Sequence, residues 1–236
     1  MTASKPKGGR LTLTAHKLHA LGYVTDELEE DGDIGGLQLL NELFSEELAF
    51  KLDDSFIRGT GAGQPLGILN ADCVVSVTRT TTDRIVGSDI LNMWTRLWGR
   101  SRMNAVWFIN QDTESELIKL NIAGDSTSTD KFLYIPPGGL SGAQYATLFG
   151  RPVIPIEQCS TLATVGDIIL ADMTHYLHGM RRGIKTQESI HVNFLTDEIA
   201  FKATIRSDGQ PWWQSALTPF QGSNTQSPFI TLSTDT

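Results

Sequence analysis

A glycine-rich run at residues 59–67 constrains the fold of this chain more than any other feature, because it stands between a long helical pattern and an extended, valine-rich segment. A dinucleotide-binding loop needs G-x-G-x-x-G between a strand and a helix, so that the pyrophosphate meets the helix N-terminus. Here Gln64 occupies the third-glycine position, and Pro65 disfavours helical geometry at the residue before it. No Gly-Lys-Ser/Thr closes the run, so it is not a P-loop either. The run therefore predicts a structural turn.

This turn makes specific demands on its glycines. At least one of Gly59, Gly61 and Gly63 should have a positive φ, because glycine adopts that conformation at little steric cost. Gly67 should lie where backbone approaches backbone. We expect a Gly61→Val substitution to damage folding or assembly, and we expect nucleotide binding to be undetectable before and after the change.

The segment before the turn has the pattern of one long helix, from residue 36 to about residue 56. Its apolar residues recur at helical spacing, whereas Glu42, Glu46 and Asp53 face elsewhere. The apolar positions are Leu37, Leu40, Leu43, Phe44, Leu48, Leu52 and Phe56. At a rise of 1.5 Å per residue this helix is about 30 Å long. We expect its apolar stripe to lie against a core.

The rest of the chain predicts short strands mixed with short helices. The predicted strands span residues 11–15, 73–78, 105–109, 153–156, 167–171 and 229–232, with strand-like alternation over 184–206. Ser88 is a good N-cap for one helix, and Asn110 or Asp112 can cap a second at about 113–120. A Gly-, Pro- and Ser-rich loop at 124–142 is predicted to be mobile in a free subunit and to order on assembly.

Charge is unevenly distributed along the chain. The net charge is −8, yet residues 26–54 hold eleven acidic residues against Lys51 alone, a local net charge of −10. This segment is either a solvated helix face or an acidic belt that meets basic residues of neighbouring subunits. The sequence shows no pronounced basic stripe of the kind that tight nucleic-acid binding requires.

Composition excludes several other classes. No apolar run approaches the roughly 20 residues of a membrane helix. Residues 1–10 are rich in Lys, Pro and Gly, predict a flexible or extended lead-in, and lack the apolar region of a secretory signal. Cys73 and Cys159 lie far apart and predict buried thiols in a reducing cytoplasm rather than a disulfide framework.

Catalytic and metal sites find little support in the sequence. His175 and His178 with Asp172 do not make a zinc site, because catalytic zinc needs three converging protein ligands and an open position. No serine lies in a G-x-S-x-G nucleophile elbow. We predict no catalytic residue, no metal and no cofactor.

The helix and the turn together carry a resemblance to a known family. The long helix ends near Phe56, a G-x-G turn follows, and Gln64-Pro65-x-Gly67-Ile68-Leu69 closes the string. This resembles a signature of the tailed-phage major capsid proteins with the Hong Kong 97-like fold. Residues 148–154 and 166–173 are similar to later elements of that family and occur in the same order.

The resemblance implies an α+β fold of the Hong Kong 97-like type. A peripheral lobe would comprise residues 11–86 and 195–236 with a spine helix at about 36–57, and an axial lobe would comprise residues 87–194. Residues 1–10 would be a remnant of the family's extended loop, with the N-terminal arm and most of that loop absent.

The resemblance also implies a function. The chain would be a structural protein of the virion, assembled in the bacterial host cytoplasm through hexamers and pentamers into an icosahedral head around double-stranded DNA. Its partners would be other copies of itself, a scaffolding segment or protein, and the portal and head-completion proteins; the DNA would be enclosed without sequence-specific contact, and no membrane would be bound. The alternatives are an encapsulin-type nanocompartment shell and a small-molecule-binding enzyme that uses the loop at 56–69.

Assembly predicts interface residues of two kinds. The acidic helix, through Glu42 and Glu46, should meet basic residues of a neighbour. The basic candidates are Arg96, Arg100 and Arg102. Trp212 and Trp213 cannot both point inward from a strand, so an exposed tryptophan at a subunit interface is expected there.

Some members of the resembled family link subunits through a Lys–Asn isopeptide bond that a nearby Glu promotes. The five-residue separation of Asn193 and Glu198 places them on opposite faces of a regular strand. Lys5 and Lys7 lie in the lead-in. We therefore predict a shell held by noncovalent contacts only.

Overall fold

The structure is a computed structural model that describes residues 9–25, 27, 36–122, 131–132, 134–136, 146–193 and 196–234. Most of the loop predicted at 124–142, and most of the lead-in predicted at 1–10, lies outside these residues.

The described elements are three helices and twelve strands. The helices are α1 (Gly36–Arg58), α2 (Gly87–Arg96) and α3 (Glu114–Ile118). The strands are β1 (His16–Thr25), β2 (Val75–Val77), β3 (Val106–Ile109), β4 (Asn121–Ile122), β5 (Lys131–Phe132), β6 (Tyr134–Ile135), β7 (Ala146–Leu148), β8 (Arg151–Pro155), β9 (Ile168–Ala171), β10 (Tyr176–Asn193), β11 (Glu198–Pro211) and β12 (Phe229–Leu232). The long helix and the strand at 229–232 are confirmed.

Helix α1 packs on one face of a three-stranded antiparallel sheet with the strand order β1-β11-β10. Burial alternates residue by residue along β1, as a strand with one covered face requires. The buried centre of this layer pair consists of Phe44, Leu48, Phe201, Ala203 and Ile205. Each large apolar side chain buried there contributes about 1.5–3 kcal/mol.

A seven-stranded mixed sheet carries the larger core, with the strand order β2-β12-β9-β3-β8-β7-β6. Strands β9 and β12 are buried along their whole length. Trp107 of β3 is fully buried, and its indole N–H donates to the carbonyl oxygen of Leu148 at 3.1 Å. The sequence analysis places residues 75–77 and 229–232 in the peripheral lobe, whereas they pair within this sheet beside strands of the middle segment.

A buried ion pair joins three distant parts of the chain. The guanidinium of Arg79 donates to the Asp167 carboxylate at 2.6 Å, and both side chains are almost fully buried. Arg79 also donates to the carbonyl oxygens of Arg84 and Ser233. The Asp167 carboxylate accepts from the backbone N–H of Ala163 and from its neighbour in the chain. Burial raises the pKa of Asp167, and Arg79 opposes that rise.

The cysteines are buried and unpaired with each other, as predicted. Burial raises the pKa of Cys73 to about 11 and that of Cys159 to about 12. Both are small core residues.

The strand predicted at 11–15 is wrong, because the ladder begins only at His16. Side chains of β11 take up the backbone groups that a ladder would use. The Asp208 carboxylate accepts from the N–H of Thr14, and the Gln210 amide donates to the carbonyl oxygen of Thr12.

Ser88 is not the N-cap of helix α2, which begins at Gly87 with Val86 before it. Asp89 of the first turn takes the capping role, since its carboxylate accepts from the N–H groups of Val86 and Thr80. Asn110 does cap the turn that precedes α3, where its side chain accepts from the N–H of Asp112.

Asn193 and Glu198 lie on the same face, which contradicts the prediction for a single strand. Asn193 is the last residue of β10 and Glu198 the first of β11, and the two residues pair directly across the antiparallel strands. The Asn193 amide donates to the Glu198 carboxylate at 2.7 Å. Spacing along one strand does not apply to residues on opposite sides of a turn.

None of the described helices has the length and apolar character needed to cross a lipid bilayer.

Candidate assembly interface

The glycine-rich turn has the backbone geometry that the sequence predicts. Gly61 and Gly63 both have φ of +76°, which confirms the expectation of a positive φ. Gly67 has an ordinary φ of −71°, and glycine is required there because no other side chain would fit. A Cβ on Gly67 would lie 2.5 Å from the amide nitrogen of Gly59 and 2.6 Å from the carbonyl oxygen of Ile57. The predicted close approach of backbone to backbone at Gly67 is therefore confirmed.

Three glycines of the turn donate their backbone N–H groups to carbonyl oxygens within the turn and the end of helix α1. The N–H of Gly59 donates to Ser55, that of Gly61 donates to Pro65, and that of Gly67 donates to Gly59. A phosphate cradle needs several free amides that converge on one point. These three amides are engaged within the turn, which agrees with a structural role.

Asn70, which the sequence analysis missed, satisfies the end of helix α1. Its amide donates to the carbonyl oxygens of Arg58 and Gly59, at 2.6 Å and 3.1 Å. The last carbonyls of a helix lack partners within the helix, so this side chain acts as a C-cap. The only sequence signal is a polar residue directly after the Ile-Leu that re-enters the core.

Phe56 fixes the turn against the hairpin of β10 and β11. Its ring makes edge contacts with Tyr176 at 5.5 Å and His178 at 5.0 Å between centroids. The Tyr176 hydroxyl donates to the carbonyl oxygen of Leu66, and the N–H of Leu66 donates to Gly209. The helix end, the turn and the hairpin thus form one rigid junction. Gln64 contributes a hydrogen bond to Thr60 at 3.0 Å.

The acidic side of helix α1 is exposed, as its pattern predicts. Glu42, Glu46 and Asp53 are all exposed, whereas Leu48 is buried. Leu43 is the exception on the apolar stripe, because half of its surface remains exposed. With 3.6 residues per turn, Leu43 and Phe50 lie in the middle of the exposed face rather than toward the sheet.

The candidate basic residues make contacts within their own subunit. Arg96 donates to the carbonyl and hydroxyl oxygens of Thr225, at 2.7 Å and 2.6 Å. Arg100 lies over the ring of Trp98, and Arg102 lies over that of Trp94. Arg100 and Arg102 remain exposed. Their contact with a neighbouring subunit stays a prediction.

The two adjacent tryptophans point in opposite directions. Trp212 is 63% exposed, whereas Trp213 packs against Trp98 and His175 with centroid distances of 5.1 Å and 5.9 Å. The exposed indole lies beside a groove that Leu11, Leu13 and Leu177 also line. Its place at a subunit interface is likewise a prediction.

Metal-binding geometry is not found in the described part of the chain, where no three His, Cys, Asp or Glu side chains converge. His175 lies 3.6 Å from the Asp172 carboxylate. That carboxylate already accepts from the N–H and hydroxyl of Thr174.

Comparison with known proteins identifies the class. A family model described as the phage capsid family matches residues 1–222. The major capsid protein of Escherichia phage T5 is 32% identical over 87 residues, which cover 35% of this chain and 19% of the T5 protein. The match therefore spans about a fifth of that relative's length.

Solved structures share the fold. The capsid of a native GTA particle, determined with C5 symmetry, superposes with a TM-score of 0.73 at 17% identity, over 97% of this chain and 75% of the other. A structure from Gordonia phage Cozz gives 0.64 at 12% identity, over 99% and 79% of the two chains. The SrpI encapsulin of Synechococcus elongatus gives 0.61 at 10% identity, over 93% and 73%.

The mixed helix-and-sheet fold of this chain is therefore one that these solved structures share. The chain belongs to the phage capsid family.

Proposed function

We propose that the chain is the major subunit of an icosahedral phage head with the Hong Kong 97-like fold, assembled through hexamers and pentamers around double-stranded DNA. The observation that carries this is the family match over residues 1–222, supported by a capsid neighbour that was determined with five-fold symmetry. The chain itself offers surfaces for assembly and, in its described part, no converging metal ligands.

Two lobes account for the architecture. The helix α1 and the three-stranded sheet would form the peripheral lobe, and the seven-stranded sheet would form the axial lobe. Because β12 pairs with β2 on one side and with β9 on the other in that sheet, the axial lobe would also include residues 75–77 and 229–232. Phe56 and the glycine turn would form the joint between the lobes.

Assembly would use the residues named from the sequence. Glu42 and Glu46 would face basic residues of a neighbour, Arg100 and Arg102 remain candidates, and Trp212 would bury its exposed indole against another copy. The partners in the cell would be a scaffolding segment or protein, the portal and the head-completion proteins. The product would be the virion capsid, assembled in the host cytoplasm without a cofactor.

Negative-stain electron microscopy of the purified 236-residue chain tests the proposal. We expect closed shells or ring-shaped capsomers. Small discrete oligomers, together with a melting temperature that rises when nucleotides are added, would support the enzyme alternative instead. The encapsulin alternative is less well supported, because the family model and the T5 relative are both phage capsid proteins.

A further inference from the structure

Three rows of cations cross the outer face of the three-stranded sheet. In the antiparallel register, Lys17 pairs with Arg206, which pairs with Arg182. Residues paired in this way are side-by-side neighbours on one face. The first row is therefore cationic on all three strands. This face is the one that helix α1 leaves uncovered, because the helix packs against the alternate residues.

The next two rows continue the charge. They consist of His19, Thr204 and Lys185, followed by Leu21, Lys202 and Gln187. Carboxylates border these rows at both ends: Asp208, which pairs with Gly179, lies one row before Arg206 on β11, and Glu198, held by Asn193, lies in the fifth row. We call the five lysines and arginines of these rows the cationic face: Lys17, Arg182, Lys185, Lys202 and Arg206.

Among the described residues, no lysine or arginine of the cationic face forms an ion pair. The charge of Lys202 lowers the pKa of Lys17, with smaller contributions from burial and from Arg206. Like charges placed directly opposite each other destabilise a sheet. The nearby Asp208 carboxylate accepts from the backbone N–H groups of Thr14 and Gly209 and forms no ion pair with the described residues, so this surface is suited to an anionic partner.

The opposite layer of the same lobe carries the complementary surface. On helix α1, Leu43 and Phe50 form an exposed apolar stripe. At 3.6 residues per turn, acidic residues lie on both sides of this stripe. We call them the acidic face: Glu42, Glu46, Glu47, Asp53 and Asp54.

Apolar groups favour a protein partner over nucleic acid. Leu21 and Tyr23 are about half exposed and adjoin the cationic rows on β1. Leu43 and Phe50 are their counterparts on the acidic face. The two faces thus match in charge and in apolar content. The acidic face is about 18 Å long at 1.5 Å per residue, and the three cationic rows extend about 14 Å along β1 at 3.4 Å per residue.

We propose that, in the assembled shell, the cationic face of one copy binds the acidic face of helix α1 of a second copy. The contact cannot form within one copy, because α1 packs on the other side of the sheet. Two different surfaces of one chain meet, so the contact is heterologous and generates a ring where the rotation closes. This inference rests on the proposed function, since it requires self-assembly.

A charge swap tests the contact. Variant A carries Lys17→Glu and Lys202→Glu, and variant B carries Glu42→Lys and Glu46→Lys. Each alone should raise the subunit concentration needed for assembly about tenfold or more, because like charges at an interface are costly. The combination of A and B in one chain should restore assembly to near the wild-type concentration. Circular dichroism of the unassembled subunits checks that each variant folds.

A matched swap uses the other exposed basic pair. Arg100→Glu with Arg102→Glu makes the same change in charge at the alternative candidate partners of helix α1, and the inference requires that it does not rescue variant B. Rescue of B by this pair instead of by A would overturn the inference, as would normal assembly of A and B separately. Failure of wild-type chain to form shells would count against the proposed function itself, which separates the two outcomes.

A last arm examines nucleic acid as the occupant. Fluorescence anisotropy with a 30-base-pair duplex should show no difference between the wild-type chain and variant A. Tight binding by the wild-type chain that variant A loses would assign the cationic face to DNA phosphates and overturn the inference.

Discussion

At the scale of single residues, the turn after helix α1 separates two reasons for glycine. Gly63 has a positive φ but open space around it, whereas Gly67 has an ordinary φ and no space for a Cβ. Gly99 has neither restriction. We expect Gly99→Ala to be nearly neutral, Gly63→Ala to cost about 1 kcal/mol, and Gly67→Ala to cost at least about 2 kcal/mol. Urea unfolding of the unassembled subunit measures the free energy of unfolding of each variant. Equal losses in Gly63→Ala and Gly67→Ala would contradict the predicted order.

The buried ion pair gives a second prediction at this scale. Arg79→Leu leaves Asp167 buried without its cation, which should cost about 3–5 kcal/mol at pH 7. The matched control is Arg84→Leu, since Arg84 is largely exposed and lies 3.7 Å from Glu116, a contact worth at most about 1 kcal/mol.

The pH dependence of the Arg79→Leu variant follows from the same pair. Without Arg79, burial is opposed only by the N–H groups of Ala163 and Ile168, so the pKa of Asp167 rises further. Because the pKa of Asp167 is higher in the folded variant than in the unfolded chain, the folded state binds the proton more readily. The free energy of unfolding therefore increases as the pH falls toward the folded-state pKa of Asp167. The variant should therefore recover part of its lost stability between pH 7 and pH 5. A loss that stays constant over this range would show that Asp167 does not take up the proton.

At the scale of elements, helix α1 has one apolar surface that packs against the sheet and a second that is exposed. Leu48 is buried against the sheet, whereas Leu43 is half exposed on the acidic face. Leu48→Ala should destabilise the subunit by about 2–5 kcal/mol. Leu43→Ala should leave subunit stability within about 0.5 kcal/mol and yet raise the concentration needed for assembly. Thermal unfolding and light scattering on both variants separate these effects, and a strong loss of subunit stability in Leu43→Ala would contradict the assignment.

Sequence periodicity predicts the elements well where local signals dominate. The helix at 36–58, the strand at 229–232 and the glycine turn all follow from spacing and from glycine chemistry. The predictions at 11–15 and at Ser88 are wrong because side chains distant in sequence or three residues away, Asp208 and Asp89, supply the hydrogen bonds. Local patterns do not carry that information.

The cationic face could not be predicted from the sequence at all. Lys17, Arg182 and Arg206 come from three strands, and only the register places them in one row. For the same reason a single-strand model misplaces Asn193 relative to Glu198, which the hairpin brings within hydrogen-bond distance. Residues that meet through long-range pairing leave no mark on the composition or spacing of any one segment.

At the scale of the whole molecule, charge is divided between the two sides of the layer pair that helix α1 and the three-stranded sheet form. The net charge of −8 conceals a helix that is acidic on its exposed side and a sheet that is cationic on its outer face. Assembly through these faces should therefore weaken with salt, since exposed charges are screened over about 8 Å at physiological ionic strength. A ring built this way gains orientation from charge and additional stability from the apolar residues between the charges.

The predicted absence of covalent links between subunits also belongs to the scale of the whole molecule. Asn193 and Glu198 are adjacent, so the geometric objection to an isopeptide bond no longer holds. A lysine is still required, and among the described residues the row of Asn193 holds only Glu198 and Thr25. Lys202 lies two rows away, about 14 Å at 3.4 Å per residue. This lysine of the same sheet is therefore too far from Asn193 to form the bond.

We expect assembled particles boiled in detergent to give one band on a denaturing gel, at the chain mass of 25.9 kDa. Unassembled subunits run beside them provide the control. A ladder of multiples from the particles alone would show that a neighbour's lysine reaches Asn193. In that case Asn193→Asp, which removes the amide that the lysine would attack, should abolish the ladder while leaving assembly intact.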